Sequence, residues 1–293
     1  MKKQKNELYG KKQSQIADIW FRLKKNKAAM CGLFVIIVIV LLALFADVIA
    51  DYDTKVIAQY PSEKLQGPSL EHFFGTDAYG RDIFARVIHG ARFSLMFGVV
   101  CTAVSLTGGA LIGAAAAFFG GKVENVIMRI LDTIACIPAM LLTLSLVSAF
   151  GAGLQSLMLA ISIGSIPAFA RVVRSVVLTV VRQDYIEAAK ATGVGTLRTI
   201  VFHVFPNAIG IIIVDATMNI AGLIMSAASL SYIGMGIQPP APEWGAMLSE
   251  AQSLMRLYPH TVLFPGMAIV ITALSFNLLG DGLSEALDPR MKD

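Results

Sequence analysis

The chain has 293 residues, of which 56% are hydrophobic and 15% charged, with a mean hydropathy of +0.68. Soluble domains average about 25% charged residues, so this composition excludes an ordinary soluble fold and indicates an integral membrane protein. The net charge of +4 is too small to suggest nucleic acid. The three cysteines, Cys31, Cys101 and Cys136, have no close spacing, which argues against a disulfide frame or zinc site; they read as small buried side chains.

Nine of the 24 Lys/Arg fall in residues 1–27. Ile16, Ile19, Trp20 and Leu23 recur there at helical spacing and predict a short interfacial helix over 15–25; a basic tail held by anionic lipid is the other reading. The apolar run over 28–50 is too long for a signal-peptide core and shows no small-residue cleavage site, so it reads as a retained first transmembrane helix. Its roughly 23 residues reach about 35 Å, enough to cross a bilayer with tilt. Asp47, near its far end, can reach the interface.

Residues 51–92 are polar and predict an outer loop. It contains Gly75-Thr76-Asp77-Ala78-Tyr79-Gly80-Arg81-Asp82, where Gly75 and Gly80 punctuate turns. Asp82 and Arg86 are spaced for an i,i+4 pair on a following helix, Ile83 to Ala91, expected to lie along the outer surface. His72 and His89 are too far apart to make a convincing metal site and read as ordinary surface residues. The second transmembrane helix covers 93–119. Its Ser105, Gly109 and Gly113 place small residues on one face, which permits close helix contact. Gly120-Gly121-Lys122 is not a phosphate-binding loop, because position 116 is Ala116 and Lys122 is followed by Val123.

A short inner segment over 121–133 precedes a third transmembrane helix over 134–150, with Pro138 near its inner end. Gly151-Ala152-Gly153 then turns the chain into a fourth over 154–170, bent at Pro167. Arg171, Arg174 and Arg182 mark the inner side before a polar island at 184–206. Asp184 can cap a helix there, and Glu187 stands three residues later, as in a capping box. Glu187 and Lys190 share a helix face. Ala188, Ala189 and Ala191 keep this helix thin, so another surface can approach closely. Gly193 and Gly195 stop it, and Thr196 can start a second short helix that Pro206 ends or bends. On local chemistry alone, a well-capped surface helix between two spans explains the island equally well.

The fifth transmembrane helix covers 207–232 and carries Asp215 and Asn219 on one face. An Asp within a span costs a few kcal/mol unless it faces protein, water or a partner. This face is therefore a candidate lining of a transport path; a structural hydrogen bond between helices, or an Asp wetted near the inner surface, is the alternative. Residues 233–260 return outside through Gln238-Pro239-Pro240-Ala241-Pro242-Glu243-Trp244-Gly245. The prolines exclude a helix there, and Trp244 suits a membrane interface. A sixth transmembrane helix covers 261–280. Six spans with both ends inside put eighteen of the 24 Lys/Arg on the inner side, as the positive-inside rule requires.

Three stretches carry a family resemblance. Glu187-Ala188-Ala189, then Gly193, then Pro206, resembles the EAA loop of bacterial ABC importer permeases; His203 is similar to the subfamily that imports peptides and nickel. The motif Gly75-Thr76-Asp77, then Gly80-Arg81-Asp82, and the stretch Ala227 to Gly245 resemble C-type permease subunits of dipeptide, oligopeptide and nickel importers. Members often carry Glu where this chain has Ala227. The ending Leu287-Asp288-Pro289-Arg290 is also similar to that of many members.

The resemblance covers about residues 15–290 and implies an all-α membrane protein of the type I ABC importer permease kind. Six transmembrane helices and cytoplasmic N- and C-termini are expected. A basic tail spans 1–27, a first helix 28–50, an extracytoplasmic loop 51–92, and a five-helix permease core 93–290 with its coupling loop at 184–206. The location implied is a bacterial cell membrane. The partners implied are a second, similar permease forming a heterodimer, two cytoplasmic ATPase subunits, and an outer solute-binding protein. One ATPase would dock on Glu187, Ala188, Ala189, Gly193, His203 and Pro206. The solute-binding protein would deliver cargo to the loops at 51–92 and 233–260.

No catalytic residue, metal site or bound cofactor is expected on this chain; ATP and Mg belong to the ATPases. Short peptides are the first expected cargo, with nickel or a nickel chelate second. A secondary transporter using Asp215 as its ion site is disfavoured, because no inverted repeat or pair of broken spans is visible. An intramembrane enzyme is disfavoured by the lack of His-Glu-x-x-His and Gly-x-Ser-x-Gly.

Overall fold

The protein was analysed as a computed structural model that describes residues 15–151 and 153–287. The described residues form helices, turns and loops, without a β-strand. In chain order the described helices of eight residues or more are α1 (Gln15–Leu23), α2 (Lys27–Leu44), α3 (Ile83–Phe119), α4 (Gly121–Ala135), α5 (Ala139–Phe150), α6 (Leu154–Val181), α7 (Asp184–Ala191), α8 (Phe205–Tyr232), α9 (Trp244–Ala251) and α10 (His260–Leu287). The expectations for the tail at 1–14 and for Asp288-Pro289-Arg290 lie outside the described residues.

Among the described residues five helices, α2, α3, α6, α8 and α10, are long and apolar enough to cross a membrane. The third expected span is broken: α4 and α5 meet at an 84° bend and would count as a sixth crossing only as a pair. Pro138, the N-cap of α5, explains the break, since it has no N–H and disfavours a helical residue before it. Alone, the 12 residues of α5 reach only about 18 Å.

The outer helix expected over Ile83 to Ala91 is not a separate surface element. It is the start of α3, which runs unbroken for 37 residues, about 55 Å. No proline interrupts it, and Gly90 is covered by Trp244 and the Pro242 carbonyl, so that the first turns of α3 are part of a packed cap at one end of the bundle, called the outer cap after the expected topology. Helix α6 likewise runs through Pro167 to Val181, past its expected end at 170. Its extension carries Arg174, whose Nε donates to Glu124 Oε1 of α4 at 2.7 Å, and Arg171, which lies 3.5 Å from Asp132.

The centre of the fold is the seam between α3 and α6. A Cβ added at Gly109 would lie 2.5 Å from Phe169 Cβ, and one at Gly113 would overlap the Ala170 carbonyl. Ser105 Oγ lies 2.7 Å from its own-helix Cys101 carbonyl and 3.0 Å from the Ser162 carbonyl across the seam, so its one proton is shared between them. The small stripe expected from sequence thus packs backbone against backbone. Around the seam, Phe97, Leu157, Ile161, Leu223 and Leu230 join α3, α6 and α8 in one apolar cluster. Ala227 is also buried there, so at the position where relatives often carry Glu this chain has a packing residue. Of the cysteines only Cys101 is buried; Cys31 and Cys136 are exposed, against the expectation of three buried side chains.

Enlarging Gly113 to Leu would force the two backbones apart and should cost about 1–3 kcal/mol or more. Gly222→Ala, at a position with nothing within 4 Å of an added Cβ, should be tolerated. Thermal unfolding in detergent should show a lower midpoint for the first variant only.

Candidate functional site

The polar island forms the compact turn at one end of the bundle, between α6 and α8. Ile186 of α7 is fully buried among Val173, Val177 and Val180 of α6, Val204, and Ala208 and Ile212 of α8. That single anchor orients α7 so that Tyr185, Glu187 and Ala188 are exposed, with Ala189 half-buried. The capping expectation shifts by one residue. Asp184 is already helical, and the Gln183 carbonyl accepts from the N–H of Ile186 at 2.9 Å. The pairing of Glu187 with Lys190 concerns a side chain outside the described ones.

Gly193 ends α7 at φ +78°, with the Val194 N–H reaching back to the Ala189 carbonyl at 3.1 Å. This left-handed cap explains why glycine stands there. Gly195 does not share in stopping α7; its carbonyl accepts from the Thr199 N–H at 3.0 Å and opens the next turn. A wide helical turn over Ile200–Val204 leads into α8, where Pro206 occupies the first turn. Pro206 therefore starts the long helix instead of ending the short one, at a position where its missing N–H is not needed. His203 is half-buried, and its carbonyl accepts from Asn207 Nδ2 at 2.7 Å. Phe202 and Phe205, its neighbours in the chain, are exposed.

Asp215 and Asn219 lie half-buried on one face of α8, where Asn219 Nδ2 donates to the Asp215 carbonyl at 2.8 Å. The same face continues through Gly222, Ser226 and Ser229, all exposed. This is a polar stripe along a membrane helix, and sequence reasoning found only its first two members.

At the opposite end, the Gly75–Asp82 motif is the hub of the outer cap. Asp77 accepts from the N–H groups of Tyr79 and Arg81 at 2.8 and 3.0 Å and from Arg81 Nε at 2.6 Å. Arg81 and Arg86, 2% and 1% exposed, both donate to Glu250 Oε2, at 2.7 and 2.9 Å. Asp82 caps α3 through the Ala85 N–H at 2.8 Å and holds His72 Nδ1 at 2.8 Å. The expected Asp82–Arg86 side-chain pair is therefore replaced by a helix cap and by the long-range Arg86–Glu250 bond. Thr76 Oγ1 donates to the Glu63 carbonyl and accepts from Gln66 N–H at 2.9 Å. Gly75 and Gly80 adopt φ +77° and +81°, and a Cβ at Gly80 would overlap the Tyr60 carbonyl.

Trp244 is not at an interface: it is 2% exposed, and its Nε1–H donates to the Val87 carbonyl at 2.9 Å. The prolines delay a helix only as far as Glu243, whose carboxylate caps α9 by accepting from Gly245 and Ala246 N–H at 2.9 and 2.8 Å. Burial pushes the Glu243 carboxyl above its ordinary range, against those two bonds. His89 is not a surface residue either; it is buried, with Nε2 2.8 Å from the Ala50 carbonyl. Sequence reasoning missed Glu250 and Glu243. The signal was an outer loop with Arg81 and Arg86 and an unassigned need for carboxylates to neutralise them.

The stretches that resemble one family thus fold into two opposite ends of one bundle. A family model for the "binding-protein-dependent transport system inner membrane component" matches residues 109–293, and a second, for the "N-terminal TM domain of oligopeptide transport permease C", matches 14–68. The chain belongs to this inner-membrane permease family. It is 43% identical over 271 residues to the dipeptide transport system permease protein DppC of Alkalihalophilus pseudofirmus, covering 92% of this chain and 88% of that one. It is 42% identical over 275 residues to the glutathione transport system permease protein GsiD of Escherichia coli, covering 94% and 90%. The solved inward-facing MetNI methionine ABC transporter has a chain that aligns with a TM-score of 0.60 and 18% identity, over 70% of this chain and 98% of that one. The fold is that of a type I ABC importer permease, a multi-pass protein of the bacterial cell membrane.

Replacing Glu250 with Gln removes one of the two carboxylates that both buried guanidinium groups share, and leaves Asp77 as the other. Losing one partner of a buried ion pair costs on the order of 3 kcal/mol or more. The permease should unfold at clearly lower temperature in detergent, while Asp47→Asn, which weakens an exposed pair with Arg92 and a longer 3.8 Å approach to His89, should shift the midpoint far less.

Proposed function

We propose that this permease forms half of the translocation path for short peptides and is driven by cytoplasmic ATPases through the loop at 184–206. The observation that carries this reading is the geometry of α7: Ile186 is locked into the α6–α8 core while Glu187 and Ala188 stand exposed. A groove of an ATPase subunit that binds this face would grip a lever continuous with two long helices. Nucleotide can drive transport only by binding two conformations differently, so the grip on α7 must differ between inward-open and outward-open states.

A second, similar permease would complete the path, with the α8 stripe from Asp215 to Ser229 facing the cleft between them. The outer cap, rigidified by Glu250, would receive a solute-binding protein. ATP and Mg would be held entirely by two ATPase subunits. The cargo class follows from the relatives: one is named for dipeptides, the other for glutathione, a tripeptide. Stripe chemistry fits such cargo, since peptides offer many hydrogen-bonding groups and one end of each charge.

The test is uptake into proteoliposomes holding the permease pair, its ATPases and its solute-binding protein. ATP-dependent uptake of a labelled dipeptide is expected. Glu187→Lys and Gly193→Val should abolish uptake while leaving the permease folded and in the membrane. Normal uptake by both variants would contradict the coupling role, and uptake of nickel in place of peptide would contradict the cargo.

A further inference from the structure

The junction of α1 and α2 carries chemistry that the transport reading does not use. One side of α1 is committed to the protein: Leu23 is buried and Ile19 partly buried against Ala29, Leu283 and Ala286. The other side is not. Trp20 and Phe21 are 43% and 61% exposed, and Lys24, Lys25 and Lys27 are exposed beside them. Lys24 Nζ lies 5.1 Å from the Trp20 ring centroid, and Lys25 Nζ lies 4.7 Å from that of Phe21. Each aromatic ring is therefore paired with an ammonium group at its edge of the bundle, an arrangement that puts apolar surface and positive charge at the same depth.

The elbow is held rigidly. Asn26 Oδ1 caps α2 through the Ala29 N–H at 2.9 Å, and Asn26 Nδ2 donates to Glu285 Oε2 of α10 at 2.6 Å. It also lies at the coupling end of the bundle. Leu287, two residues beyond Glu285, sits against Gly210 at the start of α8, so that a Cβ there would be 3.2 Å from Leu287 Cδ2.

We propose that this elbow is a binding site for anionic phospholipid headgroups in the leaflet on the coupling-loop side. Charge complementarity identifies the occupant. Three lysines lie within a turn of where the apolar span begins, which is headgroup depth, and the aromatic rings match the boundary between headgroup and acyl chain. Five further lysines, Lys2, Lys3, Lys5, Lys11 and Lys12, precede them in the chain. The proposal does not depend on the cargo or on the ATPases.

The chain has two tryptophans, and the other, Trp244, is buried in the outer cap, which makes Trp20 a local reporter. The full-length permease would be placed in bilayers of equal phosphatidylglycerol and phosphatidylcholine, with bromine on the chains of one lipid or the other. Brominated phosphatidylglycerol should quench Trp20 with an apparent preference of about fivefold or more, the scale of one basic side chain at an anionic surface. Raising the salt to 0.5 M in the unaltered protein, or the variant K24Q/K25Q/K27Q, should bring the preference close to one. Equal quenching by the two lipids in the unaltered protein would overturn the proposal. So would an absence of quenching by either, which would mean that protein covers the elbow, or a preference that survives Trp20→Phe.

Discussion

The fold depends on how closely α3 and α6 approach. Lipid cannot drive helices together by hydrophobic burial, so membrane helices associate through close packing and hydrogen bonds. Here Gly109 and Gly113 remove the side chains that would hold the two backbones apart, and Ser105 bridges them through the Ser162 carbonyl. Because that contact runs along the middle of two long helices, it fixes both their ends. At one end α3 emerges into the outer cap; at the other α6 leads straight into α7. The helix α8 then packs on the same core through Leu223 and Leu230.

Function follows from what is rigid and what is exposed. The turn at 184–206 has a deep anchor, Ile186, and a thin outer face. Ile186 belongs to the buried cluster that α6 and α8 share, so the exposed Glu187 and Ala188 stand on a turn tied to that core. The outer cap solves a different problem. Arg81 and Arg86 are almost fully buried, which is tolerable only because Glu250 and Asp77 supply charge and acceptors at hydrogen-bond distance. The cap thereby joins the loop after α2 to the loop before α10, which are far apart in sequence, and presents them as one surface.

Local rules read much of this from the sequence. Hydropathy located the five long spans, the i,i+4 spacing of Ser105, Gly109 and Gly113 marked the seam, and the Gly193 cap ended α7 where expected. What could not be read was where neighbours override local signals. Trp244 looks like an interface residue until Gly90 opens a slot for it. Arg86 has a carboxylate four residues away, yet the bond it makes is to Glu250, 164 residues on, because Asp82 is needed to cap α3. The break at Pro138 was visible as a proline, but an 84° bend depends on which surface α4 can cover. In the turn at 184–206 the Gly193 cap was legible, whereas Asp184, Gly195 and Pro206 take local roles other than those expected; of the stripe on α8, only Asp215 and Asn219 stood out, because glycine and serine in a span carry no signal until the face they share is known to be uncovered.

The proposed coupling requires α7 to move as one body with the core that buries Ile186. The most direct measurement is a distance between spin labels at Asp184 on α7, outside the proposed docking residues, and Leu111, exposed on α3, after replacing the two exposed cysteines, Cys31 and Cys136. It would be made in the assembled importer, without nucleotide and with ATP trapped. The account predicts one narrow distance distribution that is the same in both states. A second distance appearing with ATP would mean that α7 swings independently of the bundle, and the mechanical link argued from Ile186 would be wrong.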